Sequence, residues 1–291
     1  MHSIHRTFLG FVAGAAALLC TVVNARAADP LLVVVMDPLA KPLSCPCVAG
    51  YAQRDYDKLA DSLKHLLDRD VKVVFNESLS SALKSAEAKN ADLVIGKQSV
   101  ILHDAKASNL QLKKVAMLTG KDGLTTQRGL FVVASKDPAQ SMSDLRDYRI
   151  YFGPTECDEK HATAMQLLRQ HKVDVPAKLD TAVACDEGAI KILELAEKGG
   201  RGVAVISSYA KPLLEGCGQV PKGALRIVGE TEAIPFIAAF VDSSLEADVQ
   251  TKIADALIKS TASDIHLRIA LETKRGFVAD EQPATEVAKK K

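Results

Sequence analysis

Short β-branched runs recur along almost the whole chain, each followed by a stretch of helical period, and this alternation restricts the fold more than any single motif. The runs at 31–36, 71–75, 92–95, 115–118, 130–134, 149–152, 203–206, 225–228 and 236–241 have strand length, while residues 51–68, 79–88, 156–171, 187–198 and 245–260 carry apolar residues at helical spacing. Strands joined through helices need right-handed crossovers, so the pattern predicts an α/β architecture of mostly parallel sheets with flanking helices. Two polar, glycine-bearing joints, Gly120-Lys121-Asp122-Gly123 and Gly229-Glu230-Thr231-Glu232, each precede a new apolar run. A chain crossing at both joints encloses a central lobe, residues 128–228, between the halves of an outer lobe, residues 28–127 and 229–279. Ligands of open α/β sheets bind outside the carboxyl ends of the strands, so two such lobes facing each other imply an interlobe cleft.

The first residues carry His2, His5 and Arg6, then an apolar run over 8–23, then Ala25-Arg26-Ala27, whose small residues suit a signal peptidase. The run is short for a membrane span and is followed by a cleavage site rather than a basic stop. Residues 1–27 therefore read as a signal peptide, with the mature chain beginning at Ala28. Cys20 does not read as a lipoprotein cysteine, because Ala17-Leu18-Leu19 lacks a small residue beside it. Removing 1–27 takes away two arginines, Arg6 and Arg26, and no acid, which moves the formal net charge from +1 to −1. Such a chain offers no basic field to nucleic acid or anionic membrane. The expected product is exported, periplasmic or secreted, with no stable membrane insertion after signal removal. Residues 280–291, without apolar period and ending in three lysines, read as a disordered tail.

Cys45, Cys47, Cys157, Cys185 and Cys217 remain after cleavage, an odd number in a compartment where disulfides persist, and their pairing is open. The stretch PLSCPCVAGY puts Cys45 and Cys47 around Pro46 in the loop after the first strand, at the ligand edge. Three readings stand there: a disulfide staple, a clamp in which two thiolates chelate a soft ion such as Cu(I), and free or redox-active thiols. Cys157 and His161 are spaced i, i+4 on the expected helix over 156–171, so they either share a metal at the cleft edge or pack as core. Cys185 opens the next helix, and Cys157 with Cys185 is the natural disulfide within one lobe. Cys217, between Gly216 and Gly218, reads as a turn thiol.

The stretches YDKLADSLKHLLDRDVKVVF, ALKSAEAKNADLVIG, GLFVVASKDPAQSMSDLRDYRIYFGPTE, DEGAIKILELAEKGGRGVAVISSYA and IPFIAAFVDSSL, in this order, resemble the periplasmic solute-binding proteins of the phosphate, phosphite and phosphonate ABC-transporter type. The resemblance covers most of residues 31–245. It implies the two-lobed type II periplasmic binding protein fold, a cleft that closes over a small ligand, and delivery to an ABC importer. Its most diagnostic piece, 135–155, leads into a helix start at which the family offers hydroxyls and backbone N–H groups to an anion. Here the sequence departs, because Glu156, Asp158 and Glu159 crowd that turn. These acids suit the helix dipole, with Thr155 as N-cap and Asp158 at the third position, and would repel a phosphonate placed there.

The edge rule marks polar cleft candidates: Asp37 after the first strand, Tyr51 at the first helix, Lys97, Gln98 and Ser99 after DLVIG, Thr125, Thr126 and Gln127 at the crossing, Thr155, and Ser207, Ser208 and Tyr209 after GVAVI. Cys45, Cys47, Cys157 and His161 complete the expected ligand set. Hydroxyls, amides and one lysine suit a polar ligand of low charge. The chain carries no Gly-x-Ser-x-Gly elbow, no His-Glu-x-x-His and no Walker loop, so the expectation is a non-enzyme without a cofactor. The expected function is an exported solute-binding protein that closes two lobes on a small polar ligand for an ABC importer. A second reading is a periplasmic copper-like soft-metal carrier or thiol-redox protein using Cys45, Cys47, Cys157, His161 and Cys185. A third is a sensor, or an assembly partner of an exported oxidoreductase, on the same fold without a permease.

Overall fold

The computed structural model describes residues 29–184 and 186–279; the expected signal peptide, Cys185 and the expected tail from 280 lie outside the described residues. The chain begins with β1 (Leu31–Met36), α1 (Tyr56–Leu67), β2 (Val71–Phe75), α2 (Leu79–Ala86), β3 (Leu93–Lys97), α3 (Gln98–Ala107) and β4 (Leu112–Leu118). Every residue of β1 is buried, as a strand covered on both faces requires. Its side chains alternate between two cores: Val33 and Val35 pack with Leu59 and Leu63 of α1, whereas Leu32 and Val34 pack with Leu79 and Leu83 of α2.

β5 (Thr126–Gln127) carries the chain to β6 (Gly129–Ala134), β7 (Arg149–Phe152), α4 (Ala162–Gln170), β8 (Asp180–Thr181), α5 (Glu187–Glu197), β9 (Gly202–Ser207), α6 (Ala210–Gly216) and β10 (Leu225–Glu230). β11 (Ile234–Pro235) brings it back to β12 (Ile237–Asp242), α7 (Ala247–Ser263), α8 (Ile265–Ala270) and β13 (Phe277–Ala279). One sheet has the order β13-β4-β12-β3-β1-β2 and the other β10-β6-β9-β7-β8, and each has its own pair of hydrophobic clusters. β5 and β11 pair antiparallel at the crossing, with Gln127 opposite Ile234 and Thr126 opposite Pro235.

The two-lobed α/β architecture holds, with a difference in strand pairing. β1 pairs parallel with β2 and β3, and β7 with β8 and β9. β12, however, runs antiparallel to both β3 and β4, and β6 antiparallel to both β9 and β10. β6 and β12 are the strands that enter straight from the crossing without a helix. Each therefore comes in from the opposite edge and separates two strands that share a direction, so the sheets are mixed rather than mostly parallel.

The return crossing also falls later than the joint at 229. β10 keeps Gly229 and Glu230 in the second sheet, with a register shift between Ile227 and Gly229. A Cβ on Gly229 would overlap the Met142 side chain, so this glycine serves a bulge packed against Met142 rather than the crossing. α1 begins at Tyr56 rather than 51, and α4 begins at Ala162 after a 3-10 turn, Asp158–Lys160. The break is at His161 (φ −125°, ψ −79°), and it allows both Glu159 and Lys160 to be buried. Among the described residues no helix is long and apolar enough to cross a membrane.

Candidate ligand-binding cleft

The carboxyl ends of β3 and β9 and the turn after β7 meet between the two sheets. Lys97 ends β3, and its Nζ donates to Glu159 Oε1 at 2.6 Å and to Cys157 Sγ at 3.3 Å. Ser207 ends β9 and donates its hydroxyl to the same Glu159 oxygen at 2.6 Å. Lys97 is 5% exposed and Glu159 0%, so a buried ion pair links one lobe to the other. Burial alone would push the Glu159 carboxyl up and the Lys97 ammonium down. Each charge outweighs that for its partner, with the Ser207 hydrogen bond helping, so Glu159 is held below the usual carboxylate value and Lys97 above the usual lysine value. Burial pushes the Cys157 thiol up against the pull of Lys97 and Lys160, so at neutral pH its sulfur is a thiol rather than a thiolate. Glu159 Oε2 is sealed from solvent with no hydrogen-bond partner among the described residues. Gly129, the first residue of β6, permits the close approach of this turn, because a Cβ there would overlap the Glu159 carbonyl oxygen.

A cavity of about 500 Å³ lies beside this network. Its walls include Met36, Leu39, Cys45 and Lys97 from one lobe and Cys157, Lys160, Tyr209 and Leu213 from the other. A second cavity, about 390 Å³, flanks the crossing strands and is lined by Tyr51, Arg54, Thr126, Gln127, Ser208 and Phe236, among others. Leu39, Tyr209 and Leu213 line both, so they divide two ends of one trough. Tyr209 stacks on Phe236, with ring centroids 4.9 Å apart and planes 19° from parallel. Tyr51 donates its hydroxyl to the Leu213 carbonyl at 3.1 Å. Both contacts join the lobes.

The family model for the periplasmic substrate-binding protein of phosphonate ABC transporters matches residues 50–279, a span that contains Lys97, Glu159, Ser207 and both crossings. The chain belongs to this family. Binding proteins of the phosphonate family take a small ligand and deliver it to an ABC permease, which makes this chain an exported binding component of an importer. Solved structures share the fold. A binding-protein component of an ABC phosphonate transporter from Pseudomonas aeruginosa is 12% identical over 86% of this chain and 81% of that one, with a TM-score of 0.62. PhnD1 from Prochlorococcus marinus in complex with methylphosphonate is 13% identical over 86% and 92%, with a TM-score of 0.61. XAC2383 from Xanthomonas citri bound to ATP is 16% identical over 86% and 90%, with a TM-score of 0.60. At such identities the likeness concerns the fold alone. No curated protein matches the chain in sequence.

In this phosphonate-family protein the expected site residues fall into separate places. Cys45, Lys97, Cys157 and Tyr209 line the larger cavity, and Tyr51, Thr126 and Ser208 the smaller; Ser207 reaches the cleft through Glu159. Asp37 is instead a cross-link inside its lobe. Its carboxylate accepts from Arg54 at 2.7 Å, from the Tyr56 hydroxyl at 2.5 Å and from the Leu39 amide at 2.9 Å. Ser99 and Thr125 line neither cavity: the Ser99 hydroxyl is sealed in the first turn of α3, and the Thr125 carbonyl accepts the Phe236 amide. Thr155 is exposed and donates to neighbouring Glu156 at 3.3 Å instead of capping α4.

The expected pairing of Cys157 with His161 fails, because the 3-10 turn separates them and they share no helix face. His161 Nδ1 lies 2.9 Å from the Gly153 carbonyl and its ring packs beside Phe152. Cys157 is buried and makes no disulfide among the described residues, and Cys185, its expected partner, lies outside them. Cys47 falls in the short 3-10 turn Pro46–Val48. Among the described residues no three His, Cys, Asp or Glu side chains converge as a metal site, and the soft-metal reading is not favoured. Sequence reasoning missed Glu159 and Lys160 as cleft residues. Glu159 read as an acid favourable to a helix start, and Lys160 carried no signal beyond its place next to that acid.

Proposed function

We propose that the chain captures its ligand by rotating two lobes, residues 29–125 with 236–279 and residues 128–230, about the β5–β11 pair. The observation that carries this reading is the cavity of about 500 Å³ walled by both lobes, where ligands of open α/β sheets bind. The ligand-facing set is Cys45, Lys97, Cys157 and Tyr209, with Ser207 acting through Glu159, and Tyr51, Thr126 and Ser208 line the far end of the trough. Two strands of two residues each can absorb a hinge rotation at small cost in sheet hydrogen bonds. Opening parts Lys97 from Glu159, and closure restores the pair, so a ligand that contacts both walls favours the closed state through its differential affinity. The closed state is the one presented to the permease. No observation supports an oxidoreductase as partner.

Native mass spectrometry of protein purified from its exporting cell, without refolding, is expected to show one small-molecule adduct per chain that is released on denaturation. Adding the released fraction to refolded protein should raise its melting temperature, as a ligand bound to the native state does. A protein that carries no adduct and melts identically with and without that fraction would contradict the reading.

A further inference from the structure

The larger cavity holds two lysines that differ in one respect. Lys97 is already neutralised by Glu159 at 2.6 Å. Lys160, the next residue, is 7% exposed and lines the cavity, yet its ammonium has no hydrogen-bond or ion-pair partner among the described residues. It is not a swinging surface side chain. Its stem crosses Gly153, where a Cβ would lie 2.7 Å from Lys160 Cε, and its carbonyl accepts the Gly153 amide at 3.1 Å. Glycine at 153 is therefore what lets the stem lie down and deliver the ammonium to the chamber.

Lys160 acts on Glu159 and Cys157 through space without bonding either, and its ammonium at the cavity wall, with no direct partner among the described residues, is placed to receive an incoming anion. The surroundings limit how much charge that anion can bring. Glu77, Glu156 and Asp186 line the same cavity, and Glu159 stands behind Lys97, so a second negative charge meets carboxylates and no further uncommitted cation among the lining residues. Much of the remaining wall is aliphatic, including Met36, Leu39, Leu43, Val100, Leu213 and Leu214.

We propose that Lys160 takes the charge of the ligand and that the ligand is a singly charged oxyanion, a carboxylate or a sulfonate, on a short aliphatic body. This rests on reading the cavity as the ligand chamber. Calorimetric titration of stripped protein with hexanoate and with butanesulfonate should show binding of at least one, and the one that binds identifies the head group. Methylphosphonate in alkaline buffer, where it is a dianion, should bind about tenfold or more weakly. Lys160→Met should weaken monoanion binding by about tenfold to a hundredfold, the range for a charge-assisted hydrogen bond, while Lys160→Arg keeps most of it; thermal melts confirm that both variants fold. Glu159→Gln, which releases Lys97, should raise affinity for methylphosphonate. Equal monoanion affinity in wild type and Lys160→Met, or tighter binding of methylphosphonate by wild type, overturns the assignment. So does silence toward both monoanions in a protein that the low-molecular-mass cell fraction still stabilises, which leaves the lobe-closing reading standing. If that fraction has no effect either, both readings fall together.

Discussion

Lys97 and Glu159 sit where burial opposes charge, and each keeps the other charged. Removing one partner of such a pair strands the other, at about 3–5 kcal/mol where both are buried. Lys97→Met is therefore expected to lower the unfolding free energy by about 3 kcal/mol, and Lys97→Met with Glu159→Gln to recover most of the loss. Urea titrations of the two single variants and the double variant complete the cycle, and independent effects would show that the pair is not coupled. Glu159 has a lower pKa folded than unfolded, so its contribution is full above the ordinary carboxylate value of about 4.3 and is lost as pH falls through the lower folded value. Lys97 has a higher pKa folded, so its contribution is full below about 10.4 and is lost only as pH rises through the still higher folded value. The coupling should stay constant from about pH 5 to about pH 9 and fade in acid; a cycle repeated across that range checks it. Lys97 was legible because it follows a strand at the ligand edge. Asp37 stands at the same kind of edge and is taken up by Arg54 and Tyr56, partners that no local rule assigns to it. Glu159 was illegible as a cleft residue because its burial depends on the backbone break at His161.

The elements that carry long apolar runs could be read from period alone, and all nine expected strands form. The elements that make the protein work as two lobes could not. β5 and β11 have two residues each, too few for any alternation, and their pairing spans the whole second lobe. α3 was not expected either, since QSVILHDAKA reads as a short apolar run as readily as a helix. At β6 the decisive residue is Gly129. Its amide accepts no compromise in position, because it donates to Thr231 Oγ1 at 2.8 Å while its Cα faces the Glu159 carbonyl. Gly129→Ala should displace the Glu159 turn or the start of β6, lowering stability by about 1–3 kcal/mol, as overpacking does. A thermal melt reads the loss, and an unchanged melting temperature would show that the turn yields freely.

At the scale of the whole molecule, the two cleft walls are held together by side chains far apart in sequence: Lys97 with Glu159, Tyr51 with Leu213, and Tyr209 with Phe236. The two glycine-bearing joints announced two lobes, but the return crossing falls after Glu230 and the mixed sheets follow from how the chain enters each lobe, which only the three-dimensional path displays. The closed arrangement should depend on those bridges and on ligand between them. The most direct test is small-angle scattering on protein stripped of ligand, on the same protein with its ligand returned, and on stripped Lys97→Met. The predicted result is a smaller radius of gyration when ligand returns and a larger one for stripped Lys97→Met than for stripped wild type. Superimposable curves from all three samples would contradict a cleft that closes.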